Sequence, residues 1–179
     1  MQSIPQLILK DRQRLRILKL LASIDLKDAY IAAGFVRNMV WDELHQKVTP
    51  TALNDVDVVF FDDSEQDDGL AQNALQSLQA LDSNVPWQVK NQAKMHINNR
   101  DRTYLNTQDA MSFWPEKETA IAVRLTPTQE IEVLAPFGTQ SLFEGLISHN
   151  PKRSKAVFLQ RVHSKGWLDT WPKLKIAMD

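Results

Sequence analysis

Apolar positions along the chain switch between helical and strand spacing. Leu7, Ile8, Leu15, Leu18, Leu21 and Ala22 recur at helical intervals, with Lys10, Arg12, Arg14, Arg16 and Lys19 largely on the other faces, which predicts an amphipathic first helix. Ala29 to Ala33 is a short apolar run ending at Gly34 and reads as a strand followed by a turn. Val36, Val40 and Leu44 repeat every fourth residue and predict a helix over 35–45, broken by Thr49-Pro50-Thr51. Val56 to Phe61 reads as a strand, and Leu70, Ala71, Ala74, Leu75, Leu78 and Leu81 as a second amphipathic helix entered through Asp67-Asp68-Gly69.

A strand over 87–90 and a short helix over 108–113 follow, the latter capped by Asn106 or Thr107 and stopped by Pro115. Segments 120–125 and 131–134 predict a hairpin across 126–129, ended by Pro136-Phe137-Gly138, with a short C-terminal tail beyond. Helix, strand, helix, strand, helix, strand and hairpin imply an α/β or α+β fold, a mixed sheet with packed helices. With no internal repeat or linker, residues 1–179 are expected to form a single domain.

Composition narrows the function classes. There are 21 Lys and Arg against 22 Asp and Glu, which argues against a duplex-DNA binder relying on many phosphate contacts. The absence of cysteine removes disulfides, thiolate metal sites and cysteine nucleophiles. His45, His96, His149 and His163 show no close-pair ligand spacing, so zinc is not expected, and no serine sits in a Gly-x-Ser-x-Gly context. No spanning segment or secretory leader is evident, and a soluble cytoplasmic protein without membrane contact is expected.

Charge is unevenly placed. Residues 48–89 hold eight acids and no Lys or Arg, and seven of those acids lie between Asp55 and Asp68. Asp62 to Asp68 fits a solvated loop, but Asp55 and Asp57 lead directly into the apolar run 58–61. On a strand, residues two apart share a face, about 6.5–7 Å from each other. Asp55 and Asp57 would thus project together, opposite Val56 and Val58. Neighbouring carboxylates repel by about 4 kcal/mol at ~4 Å and an effective dielectric of 20. A divalent cation between them reverses that sign, and oxygen ligands favour Mg²⁺ or Mn²⁺, with phosphate oxygens completing the shell.

Upstream, Ala33-Gly34-Phe35-Val36-Arg37-Asn38 places a glycine where strand becomes helix. Glycine permits close approach of a phosphate, the helix N-terminus presents N–H groups, and Arg37 can add a charge-assisted contact. Gly34-x-Val36-Arg37 followed by Asp55-x-Asp57 resembles the signature of the DNA polymerase β-like nucleotidyltransferase superfamily. In its tRNA-nucleotidyltransferase branch the first element reads Gly-Gly-x-Val-Arg-Asp, where this chain has Ala33 and Asn38 at the ends. The interval from Gly34 to Asp55 is longer than usual there, and the chain lacks room for that branch's large helical RNA-binding region, so a CCA-adding enzyme is not expected. Further segments resemble a bacterial nucleotidyltransferase-like family of the same superfamily: Val40-Trp41-Asp42, 55–62, 89–96, Ala135-Pro136-Phe137-Gly138 and Trp171-Pro172.

The resemblance implies a nucleotidyltransferase fold and metal-dependent transfer of a nucleoside monophosphate from a nucleoside triphosphate. The acceptor is left open between RNA, protein and a small molecule. Asp55, Asp57 and a third carboxylate, for which Glu132 in an apolar strand is the candidate, would be the catalytic and metal-binding residues. Glu132 would also take the acceptor's proton. Gly34, Phe35, Arg37 and Asn38 would hold the nucleotide, although Phe35 offers no hydroxyl where many superfamily members have Gly-Ser. Lys90 and Lys94 are placed to meet phosphate or acceptor, and Asn91 and His96 to contact a base or brace the site. The five tryptophans read as core or lid residues, and the basic run 152–165 as a solvated face or a contact for an acidic acceptor such as RNA. The alternative is a non-catalytic nucleotide- or partner-binding module on the same fold.

Overall fold

A computed structural model describes residues 2–65 and 67–178. The N-terminal amphipathic stretch forms two helices, α1 (Ile4–Lys10) and α2 (Arg12–Ala22). Asp11 divides them, ending α1 in an extended conformation while its carboxylate accepts from the Arg14 N–H as the cap of α2. Periodicity continues across the break because both helices bury one stripe. The interruption comes from an aspartate that binds the backbone more readily than it propagates a helix.

The chain continues through β1 (Tyr30–Ala32), α3 (Gly34–Leu44), β2 (Val56–Phe60), α4 (Gly69–Leu81) and β3 (Trp87–Asn91). Short helices α5 (Met95–Asn99) and α6 (Thr107–Met111) precede the hairpin of β4 (Ala122–Leu125) and β5 (Ile131–Leu134). The five strands lie in the order β3-β2-β1-β4-β5, parallel only between β2 and β3. This is the mixed sheet with packed helices that the sequence predicts.

Period-two alternation separates the faces of β2. Val56, Val58 and Phe60 enter the main core with Ile31, Val123 and residues of α1 to α4, whereas Val59 joins Tyr30, Ala32, Ala122 and Met111 on the opposite face. Asp57 therefore stands on the second face. There its cross-strand neighbour on β1 is only Ala32, which leaves space above the sheet.

The C-terminal region is more than a tail. It folds as α7 (Gln140–Phe143), β6 (Leu146–Ser148), α8 (Lys155–Ser164), α9 (Trp167–Thr170) and β7 (Lys175–Ala177), with β6 and β7 forming a parallel pair. Leu142, Ile147, Phe158, Val162, Trp167, Trp171 and Leu174 join the main core. These anchors are widely spaced among charges, so they produce no sustained periodic signal. Trp41 lies fully buried against Trp167 and Trp171, edge to face at 5.7 and 5.2 Å. Truncating it, as Trp41→Ala, is expected to cost about 3–5 kcal/mol in urea unfolding, since a large cavity opens between α3 and α9. Among the described residues, no helix is long and apolar enough to cross a membrane.

Candidate active site

Asp55, just before β2, and Asp57 within it line two adjoining cavities of about 250 and 430 Å³. Ala33, Thr119, Arg161 and Lys165 complete their shared wall. Both carboxylates are half-buried. Burial and the neighbouring Asp55 push the Asp57 carboxyl above its ordinary range, while Lys90, Lys165 and Arg37 draw it back. The nearest of these cations, Lys90 Nζ, is 3.9 Å from Asp57 Oδ1 and donates a hydrogen bond to Gln88 Oε1 at 3.1 Å. That is a long contact from a half-exposed lysine and contributes little by itself.

The smaller cavity is walled by the start of α3. Ala33 turns the chain from β1 into the helix at φ 57° and ψ −123°, a left-handed conformation that costs an L-residue of order 1–3 kcal/mol. The Gly-Gly-x-Val-Arg-Asp pattern has glycine at this point, and the turn explains why. Gly34 follows, and a Cβ there would lie only 3.3 Å from Asn38 Nδ2, so side chains from the first helical turn already cover that flank. Phe35 does not reach the cavity. Its ring is buried in the main core, and its carbonyl accepts from the buried Arg14 Nε at 2.7 Å, which fastens α2 to the start of α3.

Arg37 lines the cavity yet is only 7% exposed. Its guanidinium is stacked against Trp167 and Trp41, 4.4 and 5.0 Å from the ring centroids. Nη1 donates to Thr119 Oγ1 at 2.8 Å and Nη2 to Asn38 Oδ1 at 3.0 Å, while the buried Nε has no partner. Burial pushes its pKa down to about 10, with Glu116, Asp55 and Asp57 opposing the shift. No carboxylate lies within 4 Å of it among the described residues. A buried guanidinium with an unpartnered Nε on the wall of this cavity has the chemistry to meet an anion.

The segment 51–54 forms another wall of the smaller cavity. Asp42, buried on α3, holds its start by accepting from the Thr51 N–H and Oγ1, both at 2.7 Å, and also accepts from Trp171 Nε1 at 2.8 Å. This ties together two sequence segments, Val40-Trp41-Asp42 and Trp171-Pro172, that no periodicity connects. Asp42→Ala is expected to cost about 3 kcal/mol in a urea melt, because it strands an indole N–H and a backbone N–H together.

Glu132 is not brought to this pair. It shares the Asp57 face of the sheet but sits on β5, with β1 and β4 intervening. Its carboxylate accepts from Tyr30 Oη at 2.9 Å and from Arg124 Nε and Nη2 at 3.0 and 2.8 Å. Charge in an apolar strand is explained here by a cross-strand ion pair with Arg124, its register partner. Glu132→Gln should cost under about 1 kcal/mol and leave nucleotide-dependent thermal stabilisation at its wild-type level. Loss of that stabilisation would return Glu132 to the site.

Lys94 is also elsewhere. Its ammonium serves the acidic loop, donating to the Asp67 carbonyl and pairing with Asp68 and Glu65 at 3.4 and 3.7 Å. Asn91 holds the same loop through Asp62 and Glu65. His96 Nδ1 meets the Ala93 carbonyl. By contrast Gln88, Lys90, Gln92, Asn99, Tyr104 and Trp114 line the larger cavity. Sequence reasoning missed Thr119, Arg161 and Lys165, which line the same cavities as the carboxylates only through tertiary packing. The one available signal was the i, i+4 spacing of Arg161 and Lys165 inside the basic run.

Among the described residues no group of three or more His, Asp or Glu side chains converges as a metal site. Two half-buried carboxylates facing an open cavity fit Mg²⁺ or Mn²⁺, which keep waters and take substrate phosphate oxygens. They do not by themselves form a closed cage.

A family model described as nucleotidyltransferase matches residues 19–176. The chain belongs to this nucleotidyltransferase family. A structure solved by NMR and described as revealing a CCA-adding enzyme head domain superposes with a TM-score of 0.86 at 26% identity, over 100% of this chain and 96% of that one. A CCA-adding enzyme with CTP matches at a TM-score of 0.66 and 15% identity, over 98% of this chain and 43% of the enzyme. The Thermotoga maritima CCA-adding enzyme complexed with tRNA gives 0.63 and 14%, over 98% and 42%. The nucleotidyltransferase chain spans less than half of those two enzymes, and at such identities the likeness is one of fold. No curated protein matches the sequence.

Proposed function

We propose that this nucleotidyltransferase moves a nucleoside monophosphate from a nucleoside triphosphate to an acceptor hydroxyl, in a Mg²⁺- or Mn²⁺-dependent reaction centred on Asp55 and Asp57. The observation that carries the reading is that two carboxylates and a buried guanidinium without an anionic partner face one cavity. Such a site is complementary to a cation and a polyphosphate bound together, and poorly complementary to either alone.

A divalent cation held by Asp55 and Asp57 would supply charge neutralisation at the reacting phosphate. Arg37, fixed between two indoles, orients the phosphate chain without paying for side-chain ordering at the moment of binding. The acceptor oxygen forms a bond to the α-phosphorus as the α–β phosphoanhydride bond breaks, pyrophosphate leaves, and the hydroxyl proton passes to solvent. Glu132 has no part in that transfer, since its carboxylate is held by Arg124 and Tyr30. The CTP and tRNA named with the CCA-adding structures make ribonucleoside triphosphates and an RNA 3′ end the first pair to test.

The distance of Glu132 from the pair also favours a second reading, a module that binds Mg²⁺-nucleotide without transferring it. Incubation of the protein with Mg²⁺, α-³²P-labelled triphosphates and a mixed pool of RNA, protein and small-molecule hydroxyls separates the two. Labelled product that disappears in Asp57→Asn supports transfer. Binding without product from any acceptor class supports the module.

A further inference from the structure

We propose that Lys165, beside the rigid wall that Arg161 forms one helical turn before it, is the clamp for the terminal phosphates of the bound triphosphate. The inference rests on the nucleotidyl-transfer reading and assigns a role to α8 within it.

The start of α3 is poorly equipped to grip a triphosphate by itself. Phe35 occupies the position after Gly34 with its side chain in the core, so this turn presents backbone N–H groups and no hydroxyl. Two of the Arg37 donors are already committed to Thr119 and Asn38. Further positive charge must come from another element, and the C-cap of α8, Lys165, supplies it.

Only part of the basic run 152–165 faces the carboxylates. Arg153 is paired with Asp101, and Lys152 lies over the Phe113 ring, 4.1 Å from its centroid, with a hydrogen bond to Ser112. Arg161 and Lys165 alone from this run line both cavities. Arg161 is locked in place by the fully buried Glu116, its Nε donating to Oε1 at 2.6 Å and its Nη2 to Oε2 at 3.3 Å. That pair is largely neutral and serves as a rigid wall. Lys165 differs. Its ammonium makes no hydrogen bond or ion pair among the described residues, and the side chain is exposed at the mouth shared by the two cavities.

The backbone after Lys165 is anchored. Gly166 adopts a left-handed conformation with φ 59°, and the next residue, Trp167, is buried against Arg37. The root of Lys165 is therefore fixed relative to the guanidinium at the other side of the cavity, while its four-carbon stem stays free to swing onto an anion. A rigid cation near the reacting phosphate and a mobile cation at the opening suit a chain of three phosphates better than a single one.

Isothermal titration of the full chain with ATP, AMP and inorganic pyrophosphate, each with Mg²⁺, tests the assignment. Lys165→Ala is expected to weaken ATP and pyrophosphate binding about tenfold or more, as loss of one charge-assisted contact implies, while changing AMP binding less than about twofold. Lys165→Arg should restore most of the ATP affinity. Because Lys165 is exposed, the variant keeps its fold, checked by an unchanged melting temperature without ligand. ATP affinity within twofold of wild type in Lys165→Ala, with the same affinity abolished in Asp57→Asn, overturns the clamp and leaves the nucleotidyl-transfer reading standing. Equal weakening of ATP and AMP also overturns it, since the effect would not track the terminal phosphates. No binding of any triphosphate by the wild-type protein defeats both.

Discussion

Asp57→Asn is expected to abolish Mg²⁺-nucleotide binding and yet leave the unliganded protein at least as stable as wild type. Two effects of opposite sign meet at this carboxylate. For the ligand-free fold, burial and Asp55 make the charged form costly, which is why its carboxyl is raised above the ordinary value of 3.8. The folded state then holds the Asp57 proton more tightly than the unfolded chain does. Stability contributed by this group is present below the unfolded value and is lost as pH rises from about 3.8 through the raised pKa. Asparagine has no such step. Urea melts between pH 4 and 7.5 should therefore show a flatter profile in the variant. With ligand the sign reverses. Wild-type protein at a nucleotide concentration of 100 times Kd gains about 2.7 kcal/mol, and Asp57→Asn should gain nothing. Any transferase turnover should fall at least about 10²-fold, the scale of losing a charge partner at a phosphoryl centre. A variant that binds Mg²⁺-ATP as wild type does would sink the proposal that this carboxylate holds the cation.

Arg37 yields the second large effect, and its sign depends on what replaces it. The guanidinium fills the space between Trp41 and Trp167, so Arg37→Ala removes packing as well as charge and should cost about 3–4 kcal/mol. Arg37→Met keeps an unbranched side chain of similar length between the indoles and removes the buried charge with its hydrogen bonds to Thr119 and Asn38. Replacing buried ionic groups by well-packed hydrophobic ones is often neutral or stabilising by about 1–4 kcal/mol, against which the unpaired Thr119 hydroxyl weighs about 1 kcal/mol. Arg37→Met should thus melt at or above the wild-type temperature without ligand, yet lose most of its stabilisation by Mg²⁺-ATP. The pair of melts, with and without nucleotide, reads both consequences at once. Destabilisation of Arg37→Met by more than about 2 kcal/mol would mean that the guanidinium is compensated inside the fold, and the anion site would go with it.

The two halves of the site were legible to different degrees. Asp57 could be read from its spacing because Val56 and Val58 enter the core and a strand's period of two turns Asp57 away from it, and Asp55, just ahead of β2, lines the same cavities. Gly34 and Arg37 could be read because a strand-to-helix turn is a local event. Glu132 marks where this kind of reasoning stops. A charged residue in an apolar strand is ambiguous until the partner across the sheet is known, and here the partner is Arg124. Lys94 has the same history, since the acidic loop that takes its charge lies 26 and 27 residues away at Asp68 and Asp67.

The order of most elements, the mixed sheet, the outward face of Asp57 and the turn at Gly34 are written in local pattern, since each follows from contacts within a few residues or from a repeating period. Which cations stand near those carboxylates depends on long-range packing. Packing brings Arg161, Lys165 and Trp167 back over the sheet from more than a hundred residues away, sets Thr119 on Arg37 and puts β5, with Glu132, at the far edge of the sheet. Long-range charge pairing depends on where whole elements pack, and packing is fixed by the summed burial of many side chains, a quantity that no local pattern carries.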